Sequence, residues 1–154
     1  MKRILLLAVA AIFAVLPSSA QNRRNDNPDS ILGEYRVPDA KNGDCKVRFT
    51  RNAEGTYDCQ VFWLEIPIDP ATGKPWLDFR NPNKSKRSQR VDQLYLIRGL
   101  KYNASKKQWD GVKIYDPNRG IKANVTCKLT PSGDLQVKGT ILGIGESYVW
   151  PRCK

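Results

Sequence analysis

Apolar residues return at every second position along most of this chain, and that period sets what it can become. Cys45, Val47 and Phe49 alternate with Lys46, Arg48 and Thr50. After the turn Asn52-Ala53-Glu54-Gly55, Tyr57, Cys59 and Val61 alternate with Asp58 and Gln60. The run Ile121, Ala123, Val125, Cys127, Leu129 is set against Lys122, Asn124, Thr126 and Lys128, and Leu135, Val137, Gly139, Ile141 repeats it. Successive side chains of a strand point to opposite faces, so this pattern specifies strands with one buried and one wet face. After residue 21 no stretch carries the 3.6-residue apolar stripe of a helix.

Turn residues punctuate the strands at Asp116-Pro117-Asn118-Arg119-Gly120, Pro131-Ser132-Gly133 and Gly143-Ile144-Gly145. Short connections between alternating segments make consecutive antiparallel hairpins. The expectation is all-β, with strands at about 31–37, 45–50, 56–63, 94–99, 111–116, 121–129, 135–142 and 147–152. Eight such strands in this wiring predict an antiparallel up-and-down barrel, whose interior is filled by side chains or holds one small ligand. Residues 64–93 break the rhythm, with Pro67, Pro70, Pro75 and Pro82 followed by the basic series Arg80, Lys84, Lys86, Arg87 and Arg90. A connection this long is usually functional or disordered.

The N-terminus has a different logic. Lys2 and Arg3 precede the apolar run from Ile4 to Leu16; Pro17 breaks it, and Ser18-Ser19-Ala20 supplies small residues for cleavage. The run is short for a bilayer span, so residues 1–20 read as a signal peptide removed after Ala20. Residues 21–30, polar and rich in Asn, Asp and Arg, are expected to be a disordered leader. The domain is then 31–154, and loss of Lys2 and Arg3 lowers the formal charge from +11 to +9. An exported protein, periplasmic or secreted, is the expectation. An even set of cysteines, Cys45, Cys59, Cys127 and Cys153, then favours two disulfides, with Cys45–Cys59 and Cys127–Cys153 preferred among three pairings.

The residues Asp78-Phe79-Arg80-Asn81-Pro82-Asn83, Leu96-Ile97-Arg98-Gly99-Leu100, Trp109 to Pro117, Val137-Lys138-Gly139 and Trp150-Pro151-Arg152 together resemble the DUF2147 family. That resemblance implies a small exported bacterial protein of uncharacterised function with a lipocalin-like barrel. Asn83 stands where the family pattern favours Asp, and Thr140 where it favours an aromatic. The chain is also similar to the wider calycin group, which implies that Gly33, Tyr35 and Arg152 pack together to close one barrel end. An arginine over an aromatic face contributes roughly 0.5–2 kcal/mol in such a role.

The chain has no histidine, which removes Ser-His-Asp and Cys-His catalysis and histidine metal sites. No metal or cofactor is expected. A carboxylate pair at Asp78 and Asp116 is the remaining catalytic option and the weakest of three readings, since fold alone licenses no activity. The first reading is a binding barrel for a small apolar or anionic amphipathic ligand such as a lipid. Its tentative contacts are Trp63, Asp78, Asn81, Arg90, Trp109, Tyr115 and Asp116, although the aromatics among them are first of all packing residues. The second is an envelope interaction module acting through residues 64–93 or the basic surface. The basic surplus could steer an anionic partner, with a membrane-proximal soluble domain as one option, but the default expectation is an ordinary solvated basic surface. Nucleic acid is not expected, because the lysines occupy the wet phase of strands without interleaved aromatics. Oligomeric state is not legible.

Overall fold

The computed structural model describes residues 23–154. The expected signal peptide therefore lies outside the described residues. Among the described residues eleven strands form: β1 (Gly33–Val37), β2 (Cys45–Arg51), β3 (Tyr57–Leu64), β4 (Ile68–Asp69), β5 (Lys74–Pro75), β6 (Tyr95–Asn103), β7 (Gln108–Asp110), β8 (Lys113–Asp116), β9 (Ile121–Leu129), β10 (Leu135–Ile141) and β11 (Ile144–Trp150). All pairings are antiparallel. Nine strands make one sheet in the order β1-β2-β3-β6-β7-β9-β10-β11, with β8 pairing both β6 and β9. The hairpin β4–β5 is a separate sheet inside the long 64–93 connection.

Eleven strands replace the expected eight for two physical reasons. Gly111, at φ +88°, interrupts the segment before Lys113, so β7 and β8 share the gap between β6 and β9. Left-handed backbone of this kind is open to glycine and costly for other residues. The second reason is β4–β5, whose two-residue strands are too short to show an alternation.

The first strand of the order also meets the chain beyond the last. Arg36 N–H donates to Pro151 O and Cys153 N–H to Glu34 O, both at 2.9 Å, on either side of a bridge between Tyr35 and Arg152. The inward phase of the strands builds the core: Tyr35, Val47, Phe49, Tyr57, Cys59, Val61, Ile97, Leu100, Trp109, Val125, Cys127, Leu129, Leu135, Val137 and Trp150 are all buried. Full burial of a side chain of this size contributes about 1.5–3 kcal/mol.

The expected disordered leader is corrected over residues 23–30. Arg23–Asp26 and Pro28–Ile31 are short 3-10 turns packed against the sheet. The Asn27 side chain accepts from Asp29 N–H at 2.9 Å and Pro28 occupies the first helical position, a local start signal. Polarity did not prevent ordering, because the polar groups are hydrogen-bonded rather than merely solvated. Asn25 is buried, its side chain donating to Leu129 O at 2.9 Å and accepting from Leu129 N–H at 2.8 Å.

The expected disulfides are absent, and all four cysteines are free. Cys45 stands opposite Leu64 while Cys59 stands opposite Phe49. Four residues of strand separate those rows, about 13 Å at the rise of a strand, against a bridging limit of about 7 Å between Cα atoms. Cys127 pairs with Val137 and, through it, faces Tyr148 two strands away, five residues before Cys153. Cys59 and Cys127 act as small interior apolar residues. Burial pushes the Cys127 and Cys45 thiols up to about 12 and holds Cys59 well above the ordinary range.

Candidate functional site

The two ends of the strands differ in construction. At the end where β1 starts and β11 finishes, Arg152 is the hub. Its Nε donates to Gly133 O at 3.0 Å, Nη1 to Leu32 O at 2.8 Å, and Nη2 to Ser30 O at 2.7 Å and Tyr35 Oη at 2.5 Å. The guanidinium also lies 4.7 Å from the Tyr35 ring centre. Tyr35 in turn donates to Ile31 O at 2.9 Å, and burial pushes its phenol well above the usual range. Gly33, at φ +132°, has no room for a side chain: an added Cβ would stand 2.7 Å from Arg152 Nη1.

Residues 23–32 lie across this same end. Trp109 Nε1 donates to Pro28 O at 3.0 Å, Tyr102 Oη to Asn25 O at 2.6 Å, and Tyr57 Oη to Asp29 Oδ1 at 2.6 Å. Trp109, completely buried, packs its ring at a tilt against Tyr102 with centroids 5.4 Å apart. It is therefore a packing residue far from Tyr115, although only six positions separate them in sequence.

The other expected contacts fall near the opposite strand ends, in separate environments. Asp78 is 1% exposed, accepting from Tyr115 Oη at 2.7 Å and from Asn81 Nδ2 at 2.7 Å. Burial, reinforced by that bond to Asp78, raises the Tyr115 phenol above its usual range. Asp116 accepts from Asn118 N–H at 2.9 Å and from Arg119 Nε at 2.7 Å. Both oxygens of each carboxylate are thus engaged by structural donors. Arg90 forks onto Asp92 with contacts of 3.0 and 2.6 Å. Trp63 lies on the outer surface beneath Lys46, whose Nζ is 4.9 Å from the ring centre. Asp78, Asn81 and Tyr115 come together; Arg90 lies beside them through its bridge to Leu77 but turns its guanidinium to Asp92, and no hydrogen bond among the described residues joins Trp63 or Trp109 to the cluster. Among the described residues no group of three His, Cys, Asp or Glu side chains could hold a metal ion.

The interior grades from one end to the other. A void large enough for water would leave exposed surface on its lining, yet Tyr35, Val47, Cys59, Trp109, Cys127 and Leu135 show 0%. Near the opposite ends, Val37, Cys45, Leu64 and Ile114 are only partly buried against that core. Ala123 stands opposite Ile114. Gly139, also half-buried, faces the Ala123 methyl with room for a Cβ at 3.5 Å. These two positions carry the smallest side chains on this stretch of the inner face. The turn after β8 reaches over it: Asn118 Nδ2 donates to Asp39 Oδ2 at 3.1 Å, and Arg119 Nη2 approaches Glu146 Oε2 at 3.7 Å. Sequence reading missed this lining because Val37, Leu64 and Ile114 look the same as core residues in an alternating pattern.

Comparison with known proteins matches the model of a family described as "Uncharacterized protein conserved in bacteria (DUF2147)" over residues 33–152. Among solved structures, the chain is similar to a Helicobacter pylori protein, HP1028, described as belonging to the lipocalin family. The TM-score is 0.64 at 21% identity, covering 80% of this chain and 83% of that one. At that identity the likeness is one of fold. No curated protein matches the chain.

Proposed function

This chain belongs to the DUF2147 family, and from that premise we propose that it is an exported barrel of the lipocalin type that holds the apolar part of a small amphipathic ligand at its open end. Two features support closure into a barrel: the pairing of β1 with the chain after β11, and the Arg152 hub beside it. Export is supported by the basic, apolar and small-residue series in residues 1–20. The observation that carries the binding reading is the burial gradient. Tyr35, Val47, Cys59, Trp109, Cys127 and Leu135 are packed to 0% exposure, while Val37, Cys45, Leu64 and Ile114 remain partly open around the small side chains of Ala123 and Gly139. The ligand site is consequently a cup rather than a deep lumen. It suits a short acyl or isoprenoid segment with its polar end beside Arg119, Glu146 and the basic residues of the 80–90 loop.

Titration of the purified protein with a dansylated medium-chain fatty acid tests this reading. Saturable fluorescence enhancement is expected, and Ala123→Trp, which fills the cup, should weaken binding by about tenfold or more, near 1.4 kcal/mol. Equal binding by the variant, or no saturable signal from the parent, overturns the cup as a ligand site.

A further inference from the structure

The connection between β10 and β11 breaks two rules at once. Leu142 and Gly143 form its centre at φ +49° and +79°, the pair of positive angles typical of a tight hairpin turn. Asn or Asp normally fills the first of these positions, because a larger side chain is strained there. Here it is leucine, and it is 97% exposed, with Ile144 at 77% and Ile141 at 40% beside it. Leu142 thus bears both backbone strain and the cost of an apolar side chain left in water, and is packed by nothing among the described residues. Exposed apolar groups gathered in this way mark an interaction site.

The surrounding charge indicates the partner. Lys138, on β10, and Lys122, near the matching end of β9, are exposed and make no ion pair among the described residues; Lys113 lies one strand further on and Lys128 at the far end of β9, both also exposed and without an ion pair among the described residues. Glu146 and Asp116, the nearby carboxylates, are engaged by Tyr148 and Arg119. Lys128 and Lys138 also line an outer groove of about 420 Å³ with Gln108, Thr126, Gln136 and Ser147. An apolar tip with unneutralised lysines behind it complements an anionic lipid surface.

We propose that the β10–β11 tip docks the protein on an anionic phospholipid bilayer, with Ile141, Leu142 and Ile144 entering the acyl boundary and Lys122 and Lys138 resting on headgroup phosphates. The spacing is suitable. Lys138 lies four residues from Leu142, about 13 Å along a strand, and interfacial apolar groups bury to about 5–10 Å. Docking of the tip goes beyond the cup and does not require a ligand in it.

Cosedimentation of the purified protein with vesicles separates the outcomes. Pelleting with phosphatidylcholine–phosphatidylglycerol vesicles, and little with phosphatidylcholine alone, is expected, weakening as salt is raised. Leu142→Asn with Ile144→Thr should reduce the bound fraction about tenfold, while leaving the melting temperature unlowered because Asn suits the turn. Lys122→Gln and Lys138→Gln should each weaken binding about fivefold. Three results overturn the proposal: no pelleting with anionic vesicles, equal pelleting by the tip variant, or a parent dimer that the tip variant converts to monomer. The last would make a second copy of the chain the occupant. Fatty-acid binding retained by the tip variant would show that the two sites are independent.

Discussion

The Arg152 end and the opposite end are made by the same strands, yet they solve the end-of-sheet problem in contrary ways. At the first, every polar group turned inward has a partner: three carbonyls and a phenol take the donors of one guanidinium, and Asn25 satisfies both backbone groups of Leu129. Such a network stabilises only when complete, since an unpartnered buried acceptor costs about 1–3 kcal/mol. At the second, the buried Asp78–Tyr115–Asn81 cluster stands beside partly open apolar side chains, and Arg119 makes only exposed pairs, locally with Asp116 and across the strand ends with Glu146. Exposed pairs contribute about 0–1 kcal/mol. The difference teaches that one end is held by a completed hydrogen-bond network and the other mainly by exposed pairs, and it can be broken experimentally.

The largest effect is expected at the hub. Arg152→Leu leaves the carbonyls of Ser30, Leu32 and Gly133 without their donor and removes the stack on Tyr35, so urea denaturation should show a loss of about 3 kcal/mol. Arg152→Lys should recover only a part, because a single ammonium cannot reproduce the fork. A loss below about 0.5 kcal/mol for Arg152→Leu would abolish the distinction between the ends.

Alkaline pH should destabilise the fold next, with the closed half contributing through Cys127 and Tyr57. The thiol of Cys127 and the phenol of Tyr57 are both raised, each to about 12, chiefly by burial. The unfolded chain releases those protons at lower pH than the folded one, so it binds fewer protons and stability falls as pH rises. The decline should begin near the ordinary thiol value of 9 and steepen from 10 towards 12. Under reducing conditions, Tyr57→Phe should flatten the slope above about pH 10; an unchanged slope would remove Tyr57 as a contributor.

The smallest effect belongs to the open end. Tyr115→Phe deletes one bond to Asp78, which keeps its bond from Asn81. A loss of about 1 kcal/mol in the same denaturation assay is expected. A loss as large as that of Arg152→Leu would mean that the Asp78 cluster is a second structural hub.

Much of the sheet was legible because alternation survives wherever a strand has one wet face. β2, β3, β9 and β10 carry that signal, and their inward residues form the core. β7 was illegible, since three residues cannot display a period and Gly111 hides the break. The packing of residues 23–31 was illegible for another reason. The Asn25 side chain meets the distant Leu129 carbonyl, and the Asn25 and Pro28 carbonyls accept from the Tyr102 hydroxyl and the Trp109 indole; such partners leave no trace in a local window. The site residues divided similarly: Asp78, Asn81 and Tyr115 share a cluster, while Trp109, close to Tyr115 in sequence, is carried to the other end by β7.

By itself, the sequence determined an all-β antiparallel chain, because side-chain period is a local property of backbone geometry. It also determined the absence of histidine chemistry. Only the tertiary structure decided which end is sealed, that the four cysteines remain free, and that Leu142 stands unpartnered at the hairpin tip. Each of these depends on distances between segments far apart in the chain, and those are set by register and packing rather than by any neighbour in sequence.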